Sequence, residues 1–532
     1  MPVRALLVAL LVLLLVSVPF LGAVYAAGPQ AVFGGFLFNP LDGNTYLAKM
    51  HQGWRGEWLF HLAYTAEPSG KAAIFTFYLF LGHLARWLGF PLGLTFHLAR
   101  LAGAALLLWV LWRFVTLCRP GGRWPVAVYA LAALGLGLGW LLFPFQIATV
   151  DFWVAEAFPF LAAYATPHFS LSLALLLWLF SAPLDRPGEG GFWRMALIFL
   201  ASLWLAGMSP FSILVALLVL GGWLAWEIGN AWAGQVRHSG QSAAHSLLAA
   251  LRPATPRQVQ LWRSLLLIGL GGMPYVLYQT WAIRSDPLLL QWNAQNLTWT
   301  PAVWDLLLAF SPALWLAVPG AWSLRGDRRS PGWLALIWVV MGFALAYFPF
   351  DLQRRFLIGL AAPLAVLAGY GLDKLAVRRE KLAGRLALLL PLLTLPTLLL
   401  LLVIGWFGVQ SRSPLFLISA DEAGALAWID AHTTADALVL AAPETGMFIP
   451  AHTGRRVLYG HPMETVNAEA EQAALEGFFQ QRMAAPAGYL QQRGVDYILY
   501  GPREQALGLL PDGLPLEAVF HSGDVTLYRV TP

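Results

Sequence analysis

The segment "AAIFTFYLFLGHLARWLG", residues 72–89, decides how the chain is threaded. It opens apolar, then carries His83 and Arg86, and it either crosses a bilayer or lies along one. A hydrocarbon core of ~30 Å requires about 20 mostly apolar residues in a helix, and the continuous apolar part here is shorter. Runs closer to that length lie at 6–25, 101–117, 125–145, 167–183, 193–208, 210–230, 262–283, 302–322, 331–349, 356–376 and 386–408. If 72–89 stays on one side, the basic loops all fall together. These are "RPGGRW" (119–124), "DRPGEGGFWR" (185–194), the 231–261 loop with Arg237, Arg252 and Arg257, "LRGDRR" (324–329) and "VRREKLAGR" (377–385). The excess of arginine and lysine on the cytoplasmic side of membrane proteins then places them inside. If 72–89 crosses, every one of them moves outside. We therefore read it as an amphipathic or re-entrant helix on the outer face. About 11 transmembrane helices follow, with the N-terminus cytoplasmic and 26–100, 146–166, 284–301, 350–355 and all residues after 409 outside.

Composition agrees with this class. Of the 532 residues, 58% are hydrophobic and 11% charged, against about 25% charged in soluble domains, and the mean hydropathy is +0.64. The formal charge of +5 sits in loops between apolar runs, which points to a membrane surface and not to nucleic acid. The single cysteine, Cys118, excludes an intrachain disulfide and a cysteine-only zinc site. Arg4, the run Leu6–Tyr25 and "VYAAG" also resemble a cleaved signal peptide, but the run is longer than the usual apolar core of one, so we read it as a retained first helix. After Ser411 the pattern changes. Short strand-like runs at 437–442, 455–460 and 495–501 alternate with the helical "DEAGALAWIDAH" and "ETVNAEAEQAALEGFFQQRM", and "LEAVFHSGDVTLYRV" reads as two strands about a Ser-Gly-Asp turn. The expected fold is an α-helical polytopic membrane domain, 1–410, with its first outer loop at 26–100, and a small extracytoplasmic α/β domain, 411–532.

Three outer segments carry candidate chemistry. In "FNPLDGNTYLAKMHQGWRGEW" (38–58), Asp42 precedes Gly43 and Asn44, so a turn or helix-cap role competes with a catalytic one. The second, "QIATVDFWVAEAFPFLAAYATPHFS", offers Asp151, Glu156 and His168; the spacing of the two acids does not align them on one helix face. His168, following a proline, suits a hydrogen-bonded helix start as well as a ligand. In "YFPFDLQRRFLIGL", Arg354 and Arg355 stand against the charge bias, either paired with Asp351 at the interface or presenting forked donors to a phosphate.

This layout resembles the GT-C class of membrane glycosyltransferases: an acid soon after the first helix, an interfacial helix behind it, a second acidic outer loop, arginine near a late helix and a C-terminal outer domain. Protein O-mannosyltransferases and lipid A aminoarabinose transferases are similar in arrangement. The stretch "LDGNTYLAKMHQGWRGEW" through "LARLAGAALLLWVLWRF" looks like the first-loop region of bacterial members. Gly43 stands where the familiar "DE" or "DD" pair has its second acid. The resemblance implies an inverting transfer of sugar from a polyprenyl-phosphate-linked donor to an extracytoplasmic glycan, lipid or protein at the cell membrane, with a divalent cation as an open requirement. It implies Asp42 as base, Asp151 or Glu156 assisting, Arg354 or Arg355 at the phosphate, and Tyr46, Lys49 and His168 toward substrate. Trp54 and Trp58 would stack on sugar or anchor at the interface. The rivals are a transporter or flippase, for which the expected internal repeat is missing, and an envelope assembly protein using Glu444, His452 and His461 as a contact face.

Overall fold

The computed structural model describes residues 1–185, 191–239 and 255–531. Arg252, counted above among the inside arginines, lies outside the described residues. Seven helices among those described are long and apolar enough to span a membrane: Val3–Ala27, Leu92–Cys118, Pro167–Leu184, Gly191–Met208, Pro210–Val236, Pro256–Ser285 and Gln353–Gln410. An eighth results if Val303–Ala309 and Ala313–Gly326, bent by 89° at their junction, are one span.

This corrects the expected count of 11, and each difference has a local cause. The run 125–145 is α-helical only over Pro125–Leu134 and then breaks into two short 3-10 turns, because Gly135, Gly137 and Gly139 follow, each costing about 1 kcal/mol relative to alanine in a helix. The 302–322 run breaks beside Pro312, which has no N–H to give a continuing helix. The 331–349 run keeps 15 helical residues, Gly332–Ala346, roughly 22 Å of rise. The runs 356–376 and 386–408 lie in one helical segment, whose backbone leaves helical geometry at Arg379. Hydropathy counting registers apolar length but not glycine, proline or kinks.

The chain divides into two compact units. The first comprises Met1–Val16, Ala99–Tyr278 and Thr298–Leu402; the second comprises Ser17–Leu98, Gln279–Leu297 and Val403–Pro532. Residues 26–98 thus belong with the C-terminal residues.

In the second unit, strand β1 (Ala31–Phe33) pairs antiparallel with β2 (Leu417–Ser419). A five-stranded sheet follows from β3 (Leu438–Leu440), β4 (Arg456–Val457), β5 (Tyr497–Tyr500), β6 (Leu516–Ser522) and β7 (Val525–Val530), in the order β4-β3-β5-β7-β6. β3 is parallel to β4 and β5, and β7 is antiparallel to β5 and β6. The β6–β7 hairpin closes over Gly523 and Asp524; Gly523 has φ +51°, which glycine adopts without strain. Helix Ala420–His432 begins with a reciprocal capping box between Ser419 and Glu422, which satisfies two helix-end donors.

Two helices within residues 26–98, Pro40–Trp54 and Thr76–Leu88, pack on each other in this unit. Glycine permits their close approach: a Cβ on Gly53 would lie 2.0 Å from the Leu79 carbonyl oxygen, and one on Gly82 would lie 1.9 Å from that of Met50. The Pro40–Trp54 helix also meets the Phe448–Thr453 helix, where Arg55 donates to the carbonyls of Thr453 (2.6 Å) and Gly454 (3.2 Å). Ala48 and Tyr64 join Ile429, Val439, Phe448 and Leu527 in the unit's apolar core.

Candidate active site

Asp42 is the third residue of the Pro40–Trp54 helix, while the N-cap position belongs to Asn39, which has φ +44°. Its carboxylate meets side chains. Asn39 Nδ2 donates to Oδ2 at 2.5 Å, and His461 Nε2 stands 3.2 Å from Oδ1. Its side chain keeps 45% of its accessible surface, whereas that of His461 keeps 4%. A carboxylate in the first turn also faces the positive end of the helix dipole, which favours its ionised form.

Lys49 stands two turns further along the same face. Its Nζ donates to Glu464 Oε1 at 2.6 Å and to Thr45 Oγ1 at 3.2 Å, and it lies 4.5 Å from the ring centre of Phe75 and 5.5 Å from that of Tyr46. The ammonium is thus engaged in a buried ion pair with an aromatic lining. Tyr46 stacks on Tyr78 at 4.4 Å. Trp58 stacks on His83 at 3.8 Å, tying the loop to the Thr76–Leu88 helix, and Trp54 is edge-on to His51.

His51 and His452 lie on the Pro40–Trp54 and Phe448–Thr453 helices, which pack together, and each acts within electrostatic reach of the other. His51 Nδ1 and His452 Nε2 are buried without a hydrogen-bond partner. Burial, and after it the Arg55 charge, brings His51 down to about 4; burial alone brings His452 to about 4. Both are neutral at ordinary pH.

The other sequence candidates fall in the first unit. Asp151 is fully buried; its oxygens accept from Thr149 Oγ1 (2.5 Å) and the Gly139 N–H (2.9 Å), and burial raises it to about 6. Next to it, Asp305 accepts from the Val150 N–H at 2.9 Å. Glu156 and Arg355 come together at 3.4 Å, and the Gly359 N–H donates to the Glu156 carbonyl at 2.8 Å, so the second acidic loop and the arginine turn are joined. The Arg354 guanidinium lies 4.7 Å from the Trp153 ring centre. His168 is the second residue of its helix, with Nδ1 3.0 Å from Thr166 Oγ1.

Reading the sequence misses Asn39, Glu464 and Asp305, and names His461 only as a surface contact. For His461 the usable signal is "GHPMET", a histidine before proline with a threonine four residues on, which predicts a tight polar turn but not what it touches. Among the described residues, no three His, Cys, Asp or Glu side chains converge as a metal ion would need. Hydrogen donors face both Asp42 oxygens, and a cation there would meet them, so these residues do not fit a metal.

No protein family matches the chain, and no curated protein matches it in sequence. In structure it is similar to the oligosaccharyltransferase of Archaeoglobus fulgidus. The crystal structure of that protein with Zn and sulfate aligns at 13% identity and a TM-score of 0.54, over 93% of this chain and 67% of that one. A second structure of the same protein, tethered by a disulfide to an acceptor peptide with the NVT sequon, gives 14% identity and 0.51, over 93% and 69%. ArnT from Cupriavidus metallidurans, bound to undecaprenyl phosphate, overlaps over 97% of both chains at 13% identity, with a looser TM-score of 0.49. What the chain shares with the Archaeoglobus fulgidus protein at these identities is the fold alone, a polytopic helical architecture with a further folded region.

Proposed function

We propose that the protein is a GT-C class glycosyltransferase, moving a sugar from a polyprenyl-phosphate-linked donor to an acceptor on the outer face of the cell membrane, with Asp42 as general base. The observation that carries this reading is the Asp42 carboxylate, held by a donor on each oxygen and still 45% exposed. Asp151, buried with both oxygens engaged, offers an incoming hydroxyl no comparable access.

The chemistry follows from that carboxylate. The acceptor O–H gives its proton to Asp42 as its oxygen forms a bond to the anomeric carbon. The bond from that carbon to the phosphate oxygen breaks, the electron pair leaves with the polyprenyl phosphate, and the configuration inverts. Guanidinium groups suit the departing phosphate because their forked donors match its oxygens, and Arg354 and Arg355 are proposed for that role. Glu156, paired with Arg355, would set that guanidinium's orientation. No metal is needed in this scheme.

The test is sugar transfer by purified Asp42→Asn protein, using a panel of radiolabelled polyprenyl-phosphate sugars. The substitution keeps size and removes the proton acceptor. A positioned base contributes about 10²–10⁴-fold, so turnover should fall by that order with donor binding retained. Turnover within about threefold of wild type would exclude Asp42 as base, since it falls far short of that range.

A further inference from the structure

We propose that His461 is a positioning residue for Asp42, an inference that rests on Asp42 acting as the base. The imidazole is held in one tautomer by its own turn. Its Nδ1 accepts from the backbone N–H of Met463 (3.0 Å) and of Glu464 (3.2 Å). A nitrogen that receives two hydrogens carries none, so the ring hydrogen of the neutral imidazole sits on Nε2, pointing at Asp42 Oδ1 3.2 Å away. Protonating Nδ1 would set three hydrogens against one another. His461 is therefore a fixed donor, not a second base.

The turn that carries it is itself fixed. Thr465 Oγ1 accepts from the N–H groups of Gly460 (3.3 Å) and His461 (3.4 Å), and the Thr465 N–H donates to the His461 carbonyl (2.9 Å). Glu464, from the same turn, grips Lys49 at 2.6 Å. Asp42 and Lys49 are seven residues apart, hence on one helix face, so the turn holds the Pro40–Trp54 helix at two points. The charged and titratable groups that His461 meets include Asp42, Glu464, itself paired with Lys49, and the Tyr64 ring, 6.3 Å away. With His461 on one oxygen and Asn39 on the other, the carboxylate plane is set while the side chain stays partly exposed.

A donor to a carboxylate favours its ionised form. Removing it should loosen the base and also raise the pH at which it protonates. The test compares kcat/KM against pH for His461→Ala, His461→Gln and His461→Asn in the full-length protein, beside Asp42→Asn. The glutamine amide nitrogen reaches where Nε2 stands; the asparagine amide reaches only where Nδ1 stands. Positioning predicts that alanine lowers kcat by about 10–100-fold, the range that loss of the partners orienting metal ligands costs, and moves the acid limb to higher pH. Glutamine should restore most of both, and asparagine neither. If alanine does not fold, the glutamine and asparagine variants decide alone. Rescue by asparagine and not glutamine, or an unmoved acid limb, overturns the proposal while leaving Asp42 as base. Unimpaired Asp42→Asn removes the base reading and this proposal together.

Discussion

Acidification should loosen the second unit through His51 and His452. Both imidazoles are neutral when folded, with His51 down at about 4 against an ordinary value of 6.5. Above pH 6.5 neither the folded nor the unfolded chain protonates them, and their burial carries no pH-dependent penalty. As pH falls below 6.5 the unfolded chain takes up a proton that the folded one refuses, so stability declines until about pH 4, where the folded form protonates too. The shift is about 2.5 units; at 1.36 kcal/mol per unit this is about 3 kcal/mol for His51. Between pH 6.5 and 5.0 the loss is about 2 kcal/mol, or roughly 4–8 °C in midpoint for a unit of this size. The two rings lie within electrostatic reach of each other, so the pair loses less than twice that. The assay is thermal unfolding of the detergent-solubilised protein by tryptophan fluorescence, for wild type and for the His51→Gln/His452→Gln double variant. Asp151, held up at about 6, contributes with the opposite sign over the same range. The quantity to read is thus the difference between the two proteins at each pH. That difference should move in favour of the variant as pH falls from 6.5 to 5.0; a constant difference would refute the reasoning.

Two further outcomes follow from buried charge and from the arginine turn. Lys49→Met should destabilise the protein by about 3–5 kcal/mol by leaving Glu464 uncompensated, and Lys49→Met/Glu464→Leu should recover much of that; chemical unfolding would show it, and a single-variant loss below ~1 kcal/mol would count against a buried pair. Changing both Arg354 and Arg355 to Gln should weaken binding of a polyprenyl-phosphate sugar about 10–100-fold, the worth of one charge-assisted hydrogen bond or slightly more, with unfolding measured alongside. Unchanged affinity would return the pair to an interfacial role with Glu156 and Trp153.

Local features of the fold were legible because they obey local rules. The Ser-Gly-Asp turn predicts the β6–β7 hairpin, and the helical stretch "DEAGALAWIDAH" lies in the helix Ala420–His432. The strand-like runs 437–442, 455–460 and 495–501 contain β3, β4 and β5. The pairing of β1 with β2, the reciprocal approach at Gly53 and Gly82, and the meeting of Asp42 with His461 all join segments distant in sequence, and no periodicity encodes them. Span counting failed where an apolar run was interrupted from within, at Gly135 and Pro312, whereas the kink at Arg379 falls in the basic loop between two expected runs. For the candidate site, the sequence singled out Asp42 from its loop but could not weigh it against Asp151, since exposure separates the two and exposure is tertiary.

The sheet explains why the turn at His461 suits a positioning role. In open α/β sheets, ligands bind beyond the carboxyl ends of the strands, at the crevice where strand order reverses. Here β3 lies between β4 and β5, and that crevice is the one between Ala442 and Gly501. It is filled from within: Glu504, fully buried, accepts from the Ala442 N–H (2.7 Å), the Thr445 hydroxyl (2.6 Å) and the Gly501 N–H (2.9 Å). A carboxylate already occupies the donors that a bound anion would use. The chain leaving the carboxyl end of β4 instead runs through Gly460 to His461 and Glu464, and those two side chains are spent on Asp42 and Lys49 of the first-loop helix. The carboxyl end of the edge strand β4 thus holds a helix, and that helix carries the exposed carboxylate of Asp42.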